Sequence, residues 1–240
     1  GISPLVIGLT MVAIGTSAPE LAVSVGAGLS GQPDIALGNV VGSNIANVLL
    51  VLGLSALIVP LVVQRQLVWL DVPLLIGASV LLLVMSLDGR IGPFDGFLLF
   101  ACVVGYTLFV VHHSRSTGAD DAPGDGAPPD GGNAVAQSAT RPGGRMVVQV
   151  ALIVVGLAML VLGAHWLVKG AVAMARQFGV SELIIGLTIV AGGTSLPELA
   201  TSVVASMRGE RDIAVGNAVG SSLFNILAIA GIAAMVTPGG

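Results

Sequence analysis

Long apolar stretches alternate with short polar breaks along most of the 240-residue chain. A helix needs roughly 20 mostly apolar residues to cross a lipid bilayer. Seven stretches meet this requirement, and breaks rich in Gly, Pro, Gln and charged residues separate most of them. They cover residues 5–29, 35–61, 67–87, 93–113, 146–169, 183–207 and 213–237. The pattern predicts about seven transmembrane helices.

The composition agrees with a membrane protein. Hydrophobic residues make up 55% of the chain and charged residues 9%, and the mean hydropathy is +0.99. A soluble domain carries about 25% charged residues. A net charge of −4 and the lack of a basic stripe exclude nucleic-acid binding. The single cysteine, Cys102, excludes an internal disulfide and a cysteine-based metal cluster. We predict an all-α polytopic membrane protein whose surroundings are the lipid bilayer.

Residues 114–144 differ from the rest of the chain. Ser, Thr, Gly and Pro dominate this segment, which also contains Asp120, Asp121, Asp125 and Asp130. Such a composition cannot bury enough apolar surface to fold. It predicts a disordered linker between two membrane halves, residues 1–113 and 145–240. The spacing of the aspartates is not that of an EF-hand calcium loop.

The distribution of basic residues predicts the orientation in the membrane. If the spans alternate in direction, six basic residues share the linker's side of the membrane: Arg65, Arg115, Arg141, Arg145, Arg208 and Arg211. Three lie on the other side: Arg90, Lys169 and Arg176. Cytoplasmic loops carry the excess of Lys and Arg. The linker is therefore predicted to be cytoplasmic, in a multi-pass protein of the cell (inner) membrane.

The chain contains an internal repeat with a constant offset of 178 residues. Over 54 positions, about 31 residues are identical. The sequence Gly-Thr-Ser-Ala-Pro-Glu at 15–20 matches Gly-Thr-Ser-Leu-Pro-Glu at 193–198. The segment from Gly38 to Asn47 likewise matches the segment from Gly216 to Asn225. The repeat relates two pairs of predicted helices, one pair in each half.

The number of spans between the copies predicts that they are inverted. The first span and its equivalent at 183–207 are five spans apart, so the two copies cross the membrane in opposite directions. Inverted repeats are an architecture of secondary transporters, whose sites lie near the bilayer midplane. A complete pair of five-helix units also needs one helix before the first copy and two after the second. We therefore expect the chain to be a fragment.

Glu20 and Glu198 lie at equivalent positions deep inside apolar spans. A charged carboxylate at the centre of a membrane helix costs about 2.5–3.5 kcal/mol on insertion scales. The other 11 of the 13 acidic residues lie in or near predicted loops or span ends. Two such carboxylates at matching positions indicate a cation-binding site.

The neighbouring residues suit a hard cation. Thr16 precedes Glu20 by one helical turn, and Gly15 and Pro19 weaken the helix between them. Hydroxyl, carboxylate and freed carbonyl groups are the oxygen ligands that Na⁺ and Ca²⁺ prefer. No Cys or His lies nearby, which disfavours zinc and copper. The following span of each copy adds neutral side chains at one-turn spacing: Ser43 and Asn47, Ser221 and Asn225.

These paired segments resemble the two α-repeats of the calcium/cation antiporter superfamily, and most closely the prokaryotic sodium/calcium exchanger family. The resemblance implies a fold of five plus five helices with a central ion site. It also implies that this chain holds helices 2–5 and 6–8. The residues that it implies as ion ligands are Thr16, Ser17, Glu20, Ser43, Asn47, Thr194, Ser195, Glu198, Ser221 and Asn225, with the backbone carbonyls of Ala13 and Ala191.

One departure from the family pattern leaves the driving ion open. Some sodium/calcium exchangers have Asp at the position of Asn225, whereas both copies here have Asn. The predicted function is secondary antiport of Ca²⁺ for Na⁺ by alternating access, with Ca²⁺/H⁺ antiport as the alternative. The predicted partners are the transported cations and the lipid bilayer, with no cofactor and a monomeric state.

Three other functions compete with antiport. A cation channel also needs buried carboxylates, but channels are usually built around rotational symmetry rather than inverted repeats. An intramembrane hydrolase with Ser17 or Ser195 as nucleophile lacks a general base, since no His accompanies either serine. An inactive fragment is the third alternative. The sequence therefore predicts a transporter and not an enzyme.

Overall fold

A computed structural model describes residues 3–61, 63–117 and 142–237, and this part of the chain is helical throughout apart from short connections. Its helices are α1 (Pro4–Thr16), α2 (Ala18–Leu29), α3 (Pro33–Ile58), α4 (Leu67–Asp88), α5 (Pro93–Thr117), α6 (Pro142–Gln177), α7 (Ile185–Thr194), α8 (Leu196–Met207) and α9 (Arg211–Val236). A short turn of helix, Glu182–Ile184, leads into α7.

Every predicted span coincides with one helix or with one bent pair. The helices α3, α4, α5 and α9 are long and apolar enough to cross a membrane, and α1–α2 and α7–α8 reach that length as bent pairs. Helix α6, which is 36 residues long, covers the remaining predicted span at 146–169. The apolar pattern therefore located most helix ends to within a few residues, although it ended the α6 span at 169, well before Gln177. It also treated each bent pair as one straight span.

The two bent spans break at equivalent serines. The angle is 46° between α1 and α2 and 42° between α7 and α8. Ser17 (φ −80°, ψ 10°) and Ser195 (φ −81°, ψ 5°) form the breaks. Pro19 and Pro197 follow two residues later, where a proline ring cannot donate to the preceding turn and clashes with it. The sequence reasoning expected a weakened helix here, and the structure shows a complete break.

Two glycines form the turns between the paired helices of each copy. Gly31 lies between α2 and α3, and its equivalent Gly209 lies between α8 and α9. Their φ angles are +69° and +80°. Glycine adopts this left-handed region without the steric cost that a Cβ atom brings. The repeat therefore preserves the turn as well as the helices.

The two copies pack against each other through glycines. A Cβ atom on Gly216 of α9 would lie 2.7 Å from the Leu5 carbonyl oxygen of α1. In the other copy, a Cβ atom on Gly38 of α3 would lie 2.9 Å from the Leu187 backbone nitrogen of α7. Small residues allow helix backbones to approach this closely. The second helix of each copy thus crosses the first helix of the other copy.

Helix α9 lies at the centre of the described structure, with 78% of its apolar segment buried, compared with 22–28% for α3, α4 and α5. Helices α4 and α5 pack on one side of α9. Val215, Val219 and Leu223 form a stripe on α9 that is at most 5% exposed. The equivalent residues of α3, which are Leu37, Val41 and Ile45, are 36–48% exposed. These α3 residues instead line a cavity of about 600 Å³, and Leu75, Ser79 and Leu82 of α4 form its opposite wall.

The predicted linker at 114–144 is too long at both ends. Helix α5 continues to Thr117 and α6 begins at Pro142. Composition marks where apolar residues stop, whereas helical hydrogen bonding continues into polar residues until the chain leaves the helix. Residues 118–141 lie outside the described residues. The disorder of the linker and the division into two halves around it therefore stay predictions.

Candidate cation-binding site

The carboxylates of Glu20 and Glu198 lie in the interior of the protein, and both side chains are 0% exposed. Ser17 Oγ donates to Glu198 Oε1 at 2.9 Å, and Ser195 Oγ donates to Glu20 Oε1 at 3.2 Å. Each serine therefore binds the carboxylate of the opposite copy. The second oxygen of each carboxylate, Oε2, is buried without a partner among the described residues. The structure thus brings together the two acidic residues that are 178 positions apart in sequence.

The helix breaks place both carboxylates at favourable helix ends. Glu20 is the third residue of α2 and Glu198 is the third residue of α8. The N-terminus of a helix carries a partial positive charge, which stabilises a nearby carboxylate. Conversely, the carbonyl ends of α1 and α7 point their partial negative charge toward the same breaks. Half-helix ends of this kind form ion sites in membrane transporters.

Asn39 braces the first copy. Its Nδ2 atom donates to the Glu20 backbone carbonyl at 3.2 Å and to Ser24 Oγ at 2.9 Å. Its Oδ1 atom accepts a hydrogen bond from Thr194 Oγ1 at 3.0 Å. Asn39 therefore joins α3 to the start of α2 and to the end of α7 in the other copy, and its amide oxygen is already used.

Asn217 repeats these contacts in the second copy. Its Nδ2 atom donates to the Glu198 backbone carbonyl at 3.3 Å and to Ser202 Oγ at 2.9 Å. Thr16 Oγ1 donates to Asn217 Oδ1 at 3.1 Å. The Thr16 hydroxyl also lies 3.1 Å from the Val12 carbonyl oxygen and 3.3 Å from that of Ala13. All of these partners are acceptors, so the lone pairs of the Thr16 oxygen stay available to a cation. The same holds for Thr194 in the other copy.

The helices that follow contribute four buried side chains. Ser43, Asn47, Ser221 and Asn225 are at most 1% exposed. Asn47 Nδ2 donates to Ser222 Oγ at 3.4 Å, which leaves Asn47 Oδ1 unpartnered. Within the described residues, both serine hydroxyls and both polar atoms of Asn225 also have no partner. These groups therefore differ from Asn39 and Asn217, because their oxygen atoms are not used by the fold.

Ala13 and Ala191 are fully buried, and their carbonyl groups are partly used. The Ala13 carbonyl accepts from the Ser17 amide at 3.0 Å, and the Ala191 carbonyl accepts from the Ser195 amide at 3.0 Å. Each carbonyl oxygen also lies 3.3 Å from the hydroxyl of the threonine three residues later, Thr16 or Thr194. A carbonyl oxygen has two lone pairs, so these groups are weaker ligand candidates than the unpartnered side chains.

Asn47 and Asn225 each begin a short π-helical turn, Asn47–Leu52 and Asn225–Ile229. Such turns are frequently found at functional sites. Sequence reasoning missed these π-helical turns, which no residue pattern signals. It also missed the part played by Ser24 and Ser202. Ser24 and Ser202 occupy equivalent positions of the repeat, and this match is the sequence feature that points to their role.

Neutral oxygens make up most of the candidate site. Among the described residues, no group of three or more His, Cys, Asp or Glu side chains could hold a metal ion. The candidate site therefore offers a cation two carboxylates together with hydroxyl, amide and carbonyl oxygens. That donor set suits Na⁺ and Ca²⁺ and disfavours zinc and copper.

Comparison with known proteins identifies the family. The family model described as sodium/calcium exchanger protein matches residues 1–112 and 148–239. The chain belongs to the sodium/calcium exchanger family. The putative antiporter CaxA of Alkalimonas amylolytica is 41% identical over 239 residues, covering 99% of this exchanger and 72% of CaxA. The inner membrane protein YrbG of Escherichia coli (strain K12) is 40% identical over 245 residues, covering 100% of this exchanger and 71% of YrbG.

A solved structure of the sodium-calcium exchanger NCX_Mj has the same fold. It matches with a TM-score of 0.75 at 31% identity, covering 98% of this exchanger and 71% of that chain. The predicted family and the inverted-repeat exchanger fold are thereby confirmed. The protein is a membrane exchanger of cations. The expectation of one helix before and two helices after the chain stays a prediction.

Proposed function

We propose that this exchanger moves Ca²⁺ across the membrane in exchange for Na⁺ by alternating access. Six buried side-chain oxygens without a partner carry this proposal: Glu20 Oε2, Ser43 Oγ, Asn47 Oδ1, Glu198 Oε2, Ser221 Oγ and Asn225 Oδ1. Native structures leave few buried polar atoms unsatisfied, and an ion is one of the accepted explanations. Ca²⁺ takes six to eight oxygen ligands, and these oxygens come equally from both copies.

The proposed roles follow from charge and position. Glu20 and Glu198 balance the charge of one Ca²⁺, and the four serine and asparagine oxygens complete its coordination. The hydroxyls of Thr16, Ser17, Thr194 and Ser195, with the carbonyls of Ala13 and Ala191, provide further oxygens for monovalent ions. Because the copies are inverted, the same set of ligands can be presented to either side of the membrane in turn.

Sodium is proposed as the driving ion because the site offers more oxygens than protons require. Two protons on Glu20 and Glu198 would neutralise both carboxylates and leave the unpartnered serine and asparagine oxygens without a function. Two Na⁺ ions balance the same charge and use those oxygens. A third Na⁺ would add an uncompensated charge in a dry site, since Asn225 replaces the third carboxylate of some exchangers.

Transport into liposomes tests the proposal. We expect vesicles loaded with Na⁺, at equal pH inside and outside, to take up Ca²⁺ when diluted into Na⁺-free buffer. Uptake that follows a pH gradient and ignores the Na⁺ gradient would identify Ca²⁺/H⁺ antiport instead. Uptake that needs neither gradient would identify a channel.

The variant Glu198→Gln provides the matched comparison, with Glu210→Gln as its control. Glu210 is exposed on the connection before α9 and lies outside the site. We expect Na⁺-driven uptake to be lost in Glu198→Gln and kept in Glu210→Gln. Equal uptake by both variants would contradict the proposed role of Glu198.

We also propose that the exchanger resides in the cell membrane with residues 118–141 on the cytoplasmic side. The excess of Arg on the linker side supports this orientation. The name of the inner membrane protein YrbG supports the location. Transport then removes Ca²⁺ from the cytoplasm when the inward Na⁺ gradient outweighs the inward Ca²⁺ gradient.

A further inference from the structure

Asn44 of α3 departs from the symmetry of the repeat. It lies three residues before Asn47, and its equivalent on α9 is Ser222. Asn47 Nδ2 donates to Ser222 Oγ at 3.4 Å. The repeat relates this contact to a hydrogen bond from Asn225 Nδ2 to Asn44 Oδ1. That bond is not formed, and both of its atoms are buried without a partner among the described residues.

Other hydrogen bonds between the two copies occur in equivalent pairs. The contact of a serine with the opposite carboxylate and the contact of a threonine with the opposite asparagine are each formed in both directions. Helix α3 also packs on the π-helical turn Asn225–Ile229. Asn44 and Ile226 line the same cavity, which has a volume of about 600 Å³. The elements that carry Asn44 and Asn225 therefore meet, although their side chains are not hydrogen-bonded to each other.

The two ends of an asparagine amide have opposite effects on a cation. The oxygen is an acceptor that attracts the cation, whereas the NH₂ group carries two donors and repels it. The terminal torsion of asparagine is broad, so rotation about it exchanges the two ends at little cost. Ser222 holds the Asn47 amide by its nitrogen and leaves its oxygen unpartnered. In the described structure, neither end of the Asn225 amide is held.

We propose that Asn44 is a positioning residue for cation binding. When Asn225 Oδ1 coordinates a cation, Asn225 Nδ2 donates to Asn44 Oδ1, and this bond keeps the oxygen directed at the cation. The inference rests on the proposed function, because it treats Asn225 Oδ1 as a ligand of the transported cation. One hydrogen bond gives a partner to two buried atoms, each of which is costly to leave unsatisfied. The Asn47 ligand is thus oriented before the cation arrives, whereas the Asn225 ligand is oriented on binding.

Nuclear magnetic resonance of the solubilised chain tests the hydrogen bond directly. The chain has six asparagines, so labelling with ¹⁵N-asparagine gives a small set of side-chain amide signals. The signal that disappears in Asn225→Asp identifies Asn225. We expect saturating Ca²⁺ to move one of its amide protons downfield, as a new hydrogen bond does. In Asn44→Ala, we expect this downfield shift to be absent.

The Ca²⁺ dependence of uptake separates positioning from a general effect on folding. Losing one hydrogen bond that forms only with the cation is expected to raise the KM for Ca²⁺ about five- to tenfold in Asn44→Ala, with the maximal rate retained. Asn44→Ser restores an acceptor of the kind found at Ser222, and its KM should lie between those of the native chain and Asn44→Ala. Ser79→Ala is the control, because Ser79 lines the same cavity, is exposed and bonds the Leu75 carbonyl of its own helix. Its KM should equal that of the native chain.

Asn44→Ser also keeps the test decisive if Asn44→Ala does not fold. A hydroxyl is a different acceptor, so the Ca²⁺-induced shift of the Asn225 signal must then differ from the native value. The proposal is overturned if native chains with Na⁺-driven uptake show no such shift, or if the shift and the KM are the same in every Asn44 variant. If the shift appears in a chain whose uptake ignores the Na⁺ gradient, Asn44 keeps its positioning role and the proposed sodium coupling is wrong.

Discussion

The Glu20 and Glu198 side chains supply the negative charge on which binding of a divalent cation depends. Replacing either with Gln keeps the size of the side chain and removes one charge. At an effective dielectric constant of 20, one unit-charge pair at 4 Å contributes about 4 kcal/mol, which corresponds to roughly a thousandfold in affinity. We expect Glu20→Gln to lose measurable Ca²⁺ binding in calorimetric titrations of the solubilised protein.

An exposed glutamate provides the control for a general effect of net charge on Ca²⁺ binding. The Glu210→Gln variant removes the same charge at an exposed position on the α8–α9 connection, and its Ca²⁺ affinity is expected to match the native chain. A Glu20→Gln protein that is folded and binds Ca²⁺ with native affinity would remove Glu20 from the site.

Asn217 is expected to act on stability as well as on the site. The Asn217→Ala change removes the donor to the Glu198 carbonyl and the acceptor for Thr16 in one step. Each buried polar group that loses its partner costs about 1–3 kcal/mol. We expect a lower midpoint of thermal unfolding in detergent. Gln32→Ala is the control, since Gln32 is exposed and its side chain does not cap α3, and equal midpoints for the two variants would contradict the role of Asn217 as a brace.

At the level of elements, the crossing of α1 and α9 depends on the absence of a side chain at Gly220. A Cβ atom there would lie 2.7 Å from the Leu9 Cα atom and 2.8 Å from its carbonyl carbon. Backbone cannot rotate away as a side chain can, so Gly220→Ala should force the helices apart at a cost of about 1–3 kcal/mol. The measurement is the yield and thermal unfolding midpoint of the purified variant.

Gly77→Ala is the matched control for this helix contact. Gly77 lies in the interior of α4, and a Cβ atom there meets nothing within 4 Å. Alanine favours helix over glycine by about 1 kcal/mol, so this variant is expected to be as stable as the native chain or slightly more stable. If Gly220→Ala behaved in the same way, close packing of α1 against α9 would not limit stability.

For the whole molecule, the linker is predicted to be cytoplasmic and dispensable for exchange. Its segment 118–141 has no apolar pattern that could pack on the helices. We expect a protease site introduced at Gly131 to be cut in inverted membrane vesicles and protected in intact spheroplasts. Replacing 118–141 with a flexible linker of equal length is expected to leave Na⁺-driven Ca²⁺ uptake unchanged, whereas cleavage from the outer face alone would reverse the orientation.

The sequence by itself determined the class of protein, the positions of the helices and the repeat. Apolar stretches must be helical in a membrane, because a bilayer cannot satisfy exposed backbone groups. The offset of 178 residues, which places equivalent spans five spans apart, determined the inverted topology. The identical Gly-Thr-Ser-x-Pro-Glu segments located Glu20 and Glu198 in the same way. All of these are local or periodic features that one chain displays along its length.

Tertiary structure alone decided how these residues are used. The crossing of Ser17 to Glu198 and of Ser195 to Glu20 joins residues about 180 positions apart, and no local pattern determines such a pairing. Packing also gave the four asparagines different roles. The amides of Asn39 and Asn217 hydrogen-bond to neighbouring helices, whereas Asn47 and Asn225 keep side-chain oxygens without a partner among the described residues. It buried Asp71 against Tyr106 of the next helix. Burial and hydrogen-bond partners depend on which helices meet, and that depends on the whole chain.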